Sequence, residues 1–192
     1  MRSLVIVLAL ALTGTALNAQ DPTRLNTRQG VWFGLGLGGG SAGADCNLCG
    51  NDRTTGLTGY GRIGGTVSPS ILLGAEAAGW FHSENGVDES IGFLTAILMW
   101  YPSRRGAAHL NIGVGVMGYS ADDGTNKVTA NAPGGTVGFG YDFRVGRNFS
   151  LTPFFNVYGS SSVSARLNGV ALPLGDKIKV NLLQLGLGFT WH

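Results

Sequence analysis

Beyond about residue 20 the chain has no apolar run long enough to cross a membrane as a helix, which takes about 20 residues. It instead repeats short stretches in which apolar residues alternate with Gly or polar ones, the two-residue period of a strand. Eight such runs can be read. In the first, Val31, Phe33, Leu35 and Leu37 share one face, and Trp32, Gly34, Gly36 and Gly38 the other. The second, Leu57 to Val67, sets Tyr60, Arg62 and Thr66 opposite Ile63 and Val67, and Ser68-Pro69-Ser70 then reads as a tight turn. The third puts Ile71, Leu73, Ala75, Ala77 and Phe81 opposite Glu76, Trp80 and His82. The fourth offers Ile91, Phe93, Ile97, Met99 and Tyr101 as its outer face, although its other face is apolar too. The outer faces of the rest are Leu110, Ile112, Val114 and Val116; Val137, Phe139, Tyr141 and Phe143; Phe149, Leu151, Phe155 and Val157; and Leu183, Leu185, Leu187, Phe189 and Trp191.

The connections alternate in length. Ser41 to Thr55, Ser120 to Pro133 and Ser160 to Asp176 are long, and Ser83 to Glu89 is intermediate. Ser68 to Ser70, Pro102 to Ala107 and Gly146 to Asn148 are short. An even number of strands with short turns at one end and longer loops at the other predicts an all-β fold, a closed eight-stranded antiparallel transmembrane barrel. Composition agrees: 33 Gly and only 12% charged residues fit neither a disordered chain nor an ordinary soluble domain, about a quarter of which is charged. A net charge of +2 with no basic stripe excludes a nucleic-acid partner.

Arg2 followed by the apolar Leu4 to Leu12 has the form of a cleavable signal peptide over 1–19, with cleavage after Ala19 or after Ala16. A short linker over 20–29 and a barrel domain over 30–192 complete the expected organisation. Arg or Lys on a lipid face costs about 2–4 kcal/mol at mid-membrane, so charges belong elsewhere. Eight acidic residues (Asp45, Asp52, Glu84, Asp88, Glu89, Asp122, Asp123 and Asp176) fall in the proposed outer loops, and Arg104, Arg105 and Arg147 fall in the turns. Arg62, Glu76, Asp142 and Arg144 point inward as a polar network, and Tyr101, Phe143, Phe149 and Trp191 form an aromatic girdle at the turn end. Two stretches resist the scheme. Ile178, Val180 and Leu182 have the opposite parity to Leu183 through Trp191, which calls for a bulge near Leu182 or a stretch standing above the bilayer, and Pro153 removes a ladder donor from the seventh strand.

At the C-terminus Gln184, Gly186, Phe189 and Trp191 resemble the β-signal of outer-membrane proteins: polar, x, Gly, two residues, aromatic, x, aromatic. His192 follows where that family ends on the aromatic itself. With the eight-strand rhythm, the chain resembles the OmpA transmembrane domain and OmpX class of small barrels. The resemblance implies insertion by the barrel-assembly machinery and residence in the bacterial outer membrane as a monomer among its lipids and lipopolysaccharide. Both termini would be periplasmic and the long loops extracellular, with a structural or surface-binding role and no open pore.

Chemistry-bearing motifs are few. Cys46 and Cys49 form a C-x-x-C in a long loop, a disulfide candidate without the βαβ setting of a redox site. Asp122 to Asn126 lacks the ligand spacing of a calcium loop. Gly34 to Gly40 has no G-K-[ST] after it and keeps a period of two, so the glycines make room for the rings of Trp32, Trp80 and Trp100 rather than hold a phosphate. No cofactor or metal is expected. The rival readings are a narrow ion-conducting barrel, using the inward charges, and a lipid A-modifying hydrolase or acyltransferase, using His82 with Ser83 and Glu84. Adjacent strand residues point to opposite faces, which counts against a catalytic role.

Overall fold

The computed structural model describes residues 28–45, 53–171 and 178–192. The predicted signal peptide, Cys46, Cys49 and the acidic Asp52 and Asp176 lie outside them. Among the described residues there are eleven strands: β1 (Val31–Asp45), β2 (Arg53–Ser68), β3 (Ile71–Glu84), β4 (Val87–Trp100), β5 (Ala108–Asp122), β6 (Lys127–Tyr141), β7 (Phe143–Arg144), β8 (Phe149–Ser160), β9 (Ser164–Leu167), β10 (Val170–Ala171) and β11 (Lys179–Trp191). Each stave pairs antiparallel with its neighbours in the order β1 to β6, β8, β11, and β11 returns to β1, so the eight form a closed ring. In hydrocarbon every backbone N–H and C=O must find a partner within the protein, and closure provides it.

The two-residue period sorts the side chains as the sequence predicts for seven staves. Leu35, Leu37, Val114 and Leu185 project outward, while Trp32, Tyr60, Trp80 and Leu182 are buried inside. The fourth stave is reversed. Ile91, Phe93, Ile97, Met99 and Tyr101 all point into the lumen, and Leu94, Leu98 and Trp100 face out. With both faces apolar the period cannot choose between them. The neighbours decide: Ile97 pairs with Gly74 and Gly113, which leave its side chain room, and Tyr101 finds Asp142 inside. Trp100 therefore takes the girdle position read for Tyr101, beside Phe143, Phe149 and Trp191.

Both irregular stretches resolve in the register. The β1–β11 ladder runs from Phe33↔Trp191 to Asp45↔Lys179 without a shift, so no bulge occurs at Leu182. Val180 and Leu182 fill the lumen at the far end of the stave, and Lys179 is exposed. Pro153 coincides with a gap. The β6–β8 ladder stops at Gly140↔Phe154 and resumes as Phe143↔Leu151 through β7, skipping the residues opposite Thr152 and Pro153. Asp142, in the gap, donates its N–H to the Ala107 carbonyl on the β5 side.

The staves run to 12–16 residues, longer than the roughly 9–11 that span a bilayer. The excess rises at one end, here called the hairpin end; the short turns and the described chain ends mark the turn end. Most of what reads as outer loop is strand. The intermediate loop shrinks to a two-residue turn at Asn85-Gly86, both with positive φ (52° and 79°), and Asn168-Gly169 (49° and 85°) closes the small β9–β10 hairpin in the same way. Both are the left-handed pair that matches strand twist, and Asn-Gly is its usual sequence.

Candidate functional site

The lumen is built in layers. Arg62 on β2 and Glu76 on β3 stand directly opposite in register, and Arg62 Nε donates to Glu76 Oε2. The other Glu76 oxygen accepts from Tyr158 Oη at 3.0 Å. Arg62 Nη2 and Asn111 Nδ2 both donate to Asn156 Oδ1, at 3.3 and 3.2 Å. Asn156 Nδ2 donates to Gln184 Oε1 at 2.8 Å, and Gln184 Nε2 to Thr58 Oγ1 at 2.5 Å. Arg62 also lies over the Tyr60 ring, 4.0 Å from its centroid. This network ties β2, β3, β5, β8 and β11 across the barrel axis. Small backbone sites make it possible: a Cβ on Gly138 would stand 2.0 Å from Asn156 Oδ1. A buried ion pair is tolerable only when further hydrogen bonds support it, and here Tyr158 bonds to the carboxylate and Asn156 accepts from the guanidinium.

A second layer seals the turn end. Asp142 accepts from Tyr101 Oη and Thr152 Oγ1, each at 2.8 Å, with Nδ1 of His109 and Nε2 of His192 each 3.8 Å from a carboxylate oxygen. The guanidinium of Arg28 lies 3.4 Å from the centroid of the Tyr101 ring and donates to the carbonyls of Pro69 (3.2 Å) and Gly106 (2.5 Å). Above the polar middle, toward the hairpin end, Trp80, Ile91, Phe93, Met117 and Leu182 make an apolar layer. Beyond it opens a chamber of about 310 Å³. Outside, exposed Leu, Val, Ile and Phe side chains cover the wall between two charged rims, Arg53, Lys127 and Lys179 at the hairpin end and Arg104, Arg105 and Arg147 at the turn end.

No protein-family model matches the sequence, and no curated protein matches it either. Solved structures do. Neisserial surface protein A is 14% identical, with 83% of this chain and 96% of that one covered and a TM-score of 0.60. Ail, the attachment invasion locus protein of Yersinia pestis, is 14% identical over 85% and 99% at a TM-score of 0.54. OprG from Pseudomonas aeruginosa is 15% identical over 86% and 98% at 0.51. This is the fold of the small outer-membrane β-barrels. Identity at this level carries the architecture and no ligand.

Within this outer-membrane barrel fold the residues singled out from the sequence part company. Arg62 and Glu76 meet; Asp142 sits in the turn-end layer with two hydroxyls; Arg144 is half-buried on β7. Gln184, noted only for the β-signal, is a central member of the network, whereas Phe189 and Trp191 face outward, stacked on Phe149 and Phe33. Gly186 crosses Gly38 so closely that a Cβ would stand 2.2 Å from the Leu37 carbonyl oxygen. His82 donates from Nδ1 to the Thr55 carbonyl at 3.0 Å, has Nε2 3.3 Å from Glu84 Oε2 and lies against Trp80. Ser83 projects from the opposite face, so the three do not form a nucleophile, base and orienter. Among the described residues no group of three or more His, Cys, Asp or Glu is placed to hold a metal ion. Arg28 was missed because it falls in the stretch read as linker, before the first alternating run. Asn156 and Asn111 were missed because an inward polar residue announces no partner.

Proposed function

We propose that the protein resides in the bacterial outer membrane with its turn end in the periplasm and its hairpin end outside. There it serves as a rigid, plugged platform whose projecting hairpins meet the surroundings, with no enzymatic role. The observation that carries this reading is the cross-lumen network around Arg62 and Glu76, buried to 5% and 1% exposure. Inward side chains nearly fill a barrel of eight strands, and these are locked to one another rather than lining a water path. Binding residues tend to lie on loops held by such scaffolds, and the acidic Glu84, Asp88, Asp122 and Asp123 crowd the hairpin end. Bridging of divalent ions to lipopolysaccharide phosphates is the partner chemistry this suggests.

In planar bilayers the purified barrel is expected to give no steady conductance. Reproducible ion-selective steps that change in a Glu76→Gln variant would replace the plug with an ion path. Orientation is read separately on whole cells, in a Cys46→Ser/Cys49→Ser background. An impermeant maleimide should label a cysteine placed at Thr125 and spare one at Ser103, and the reverse pattern would invert the assignment.

A further inference from the structure

The chamber at the hairpin end has the wrong chemistry for a water-filled mouth. Its walls are Trp80, Ile91, Tyr119, Val163, Ile178 and Val180, with small alanines between them, and among the described residues no Lys, Arg or His lines it. Interiors of outer-membrane barrels are ordinarily polar, and apolar surface left against water is unfavourable in proportion to its area. The walls cannot collapse to relieve this, because they belong to a closed ladder. The described ends of the connection between β8 and β11 are pinned as well: Val163 N–H donates to the Ile178 carbonyl at 2.9 Å, Ser161 N–H to the Pro133 carbonyl at 2.8 Å, and Val180 N–H to Ser160 Oγ at 2.9 Å. The floor is equally fixed. Trp80 Nε1 donates to the Gly40 carbonyl at 3.2 Å, and its ring rests where a Cβ on Gly56 would stand 2.8 Å from that nitrogen. Beneath it lie Phe93, Leu182 and the polar network, so the chamber is a dead end.

We propose that this chamber is a binding site for one small, neutral, largely apolar molecule carrying a hydroxyl. Its volume, about 310 Å³, is at the lower end of ligand sites, which run to roughly 300–1,000 Å³, and an engineered apolar cavity of about 150 Å³ already takes benzene. The polar side chains of the wall are Thr54 and one hydrogen-bonded pair, Tyr119 Oη donating to Glu89 Oε1 at 3.0 Å. The Glu89 carboxylate repels anionic ligands such as fatty acids and accepts from a hydroxyl. An apolar body with a single well-placed polar contact is the ordinary composition of a small-molecule site. The closed floor makes this a site of capture rather than of transit, and the assignment holds whichever side of the membrane the hairpin end faces.

The four tryptophans supply the test. Trp80 forms the chamber floor, Trp32 is sealed at the turn end, and Trp100 and Trp191 face lipid. The ¹⁵N-labelled barrel in nanodiscs is titrated with 2-naphthol while the four indole N–H resonances are followed, that of Trp80 being assigned by Trp80→Phe. The Trp80 resonance is expected to shift along a saturating curve while Trp32 stays still and Trp100 and Trp191 drift linearly with bilayer loading. Ala130→Phe, which fills the chamber from its wall, should weaken the saturable response at least tenfold. Val163→Phe does the same from the connecting segment should the first variant not assemble. 2-Naphthoate at the same concentration should give no saturable shift. A Trp80 response that stays linear, or a saturating one that filling variants leave unchanged, overturns the assignment.

Discussion

The middle and the mouth of the lumen are enclosed by the same eight staves and solve the same problem in opposite ways. In the middle, long polar side chains from facing staves meet across the axis, each held by another: Arg62, Glu76, Asn156 and Gln184. At the mouth the inward positions carry Ala42, Ala130 and Val180, too short to meet, and space remains. Wall geometry is set by the ladder, so side-chain length alone decides whether a given height of the barrel is filled. A packed stretch of lumen and an unpacked one can therefore coexist within one barrel, a few residues apart along each strand.

Damage to the filled part should have the largest effect. Glu76→Leu leaves the buried Arg62 guanidinium without its carboxylate, and loss of one partner from a buried pair costs about 3–5 kcal/mol. The midpoint of denaturant unfolding in lipid should fall accordingly, and the temperature at which gel mobility changes should fall with it. Arg62→Met added to Glu76→Leu should recover most of the loss. By contrast Ala130→Phe, in the same assay, should cost little, because it adds volume where there is none to displace. If both variants were equally damaging, the mouth would be as tightly packed as the middle.

A smaller effect is expected at the solvent edge of the hairpin end. Asp123 accepts from the N–H groups of Asn126 (2.6 Å) and Thr125 (2.8 Å), and these bonds hold its carboxyl below the ordinary aspartate range. A depressed carboxyl contributes order that is complete above its unfolded-state pKa and is lost as pH falls through the folded value. The Thr125 and Asn126 amide resonances should therefore titrate together at a pH below that of an unperturbed aspartate. In Asp123→Asn that titration should vanish with the barrel intact. Amides that titrate at the ordinary aspartate value would mean the turn does not hold the carboxyl.

Most of the wall was legible because one face of each strand is committed to lipid and the other is not, so a period of two identifies strand and side together. It failed at β4, where both faces are apolar and only the neighbouring glycines discriminate. The height of the hairpins was underestimated for a related reason: above the membrane neither face must be apolar, alternation fades, and strand reads as loop. Asn85-Gly86 was a readable signal within that region. The charged pair at Arg62 and Glu76 could be anticipated because it lies on adjacent strands, but its neutral partners are brought in from β5, β8 and β11, and nothing in a single strand says which polar residue lies across the axis.

The ladder between β1 and β11 joins the first described strand to the last, with Phe33 opposite Trp191 and His192 N–H bonded to the Asn148 carbonyl at 3.0 Å. The wall is therefore a ring with a nick, and the nick falls between two strands that are bonded as continuously as any other pair. Its bonding fixes only the cyclic succession of staves. A permuted chain joined across that nick and opened at Asn85-Gly86 would hold the same staves in the same circle, with Gln184, Gly186, Phe189 and Trp191 moved to the interior of the chain. Covalent order and spatial order are separable here: the ladder fixes which staves are neighbours and leaves open where along the chain each stave falls.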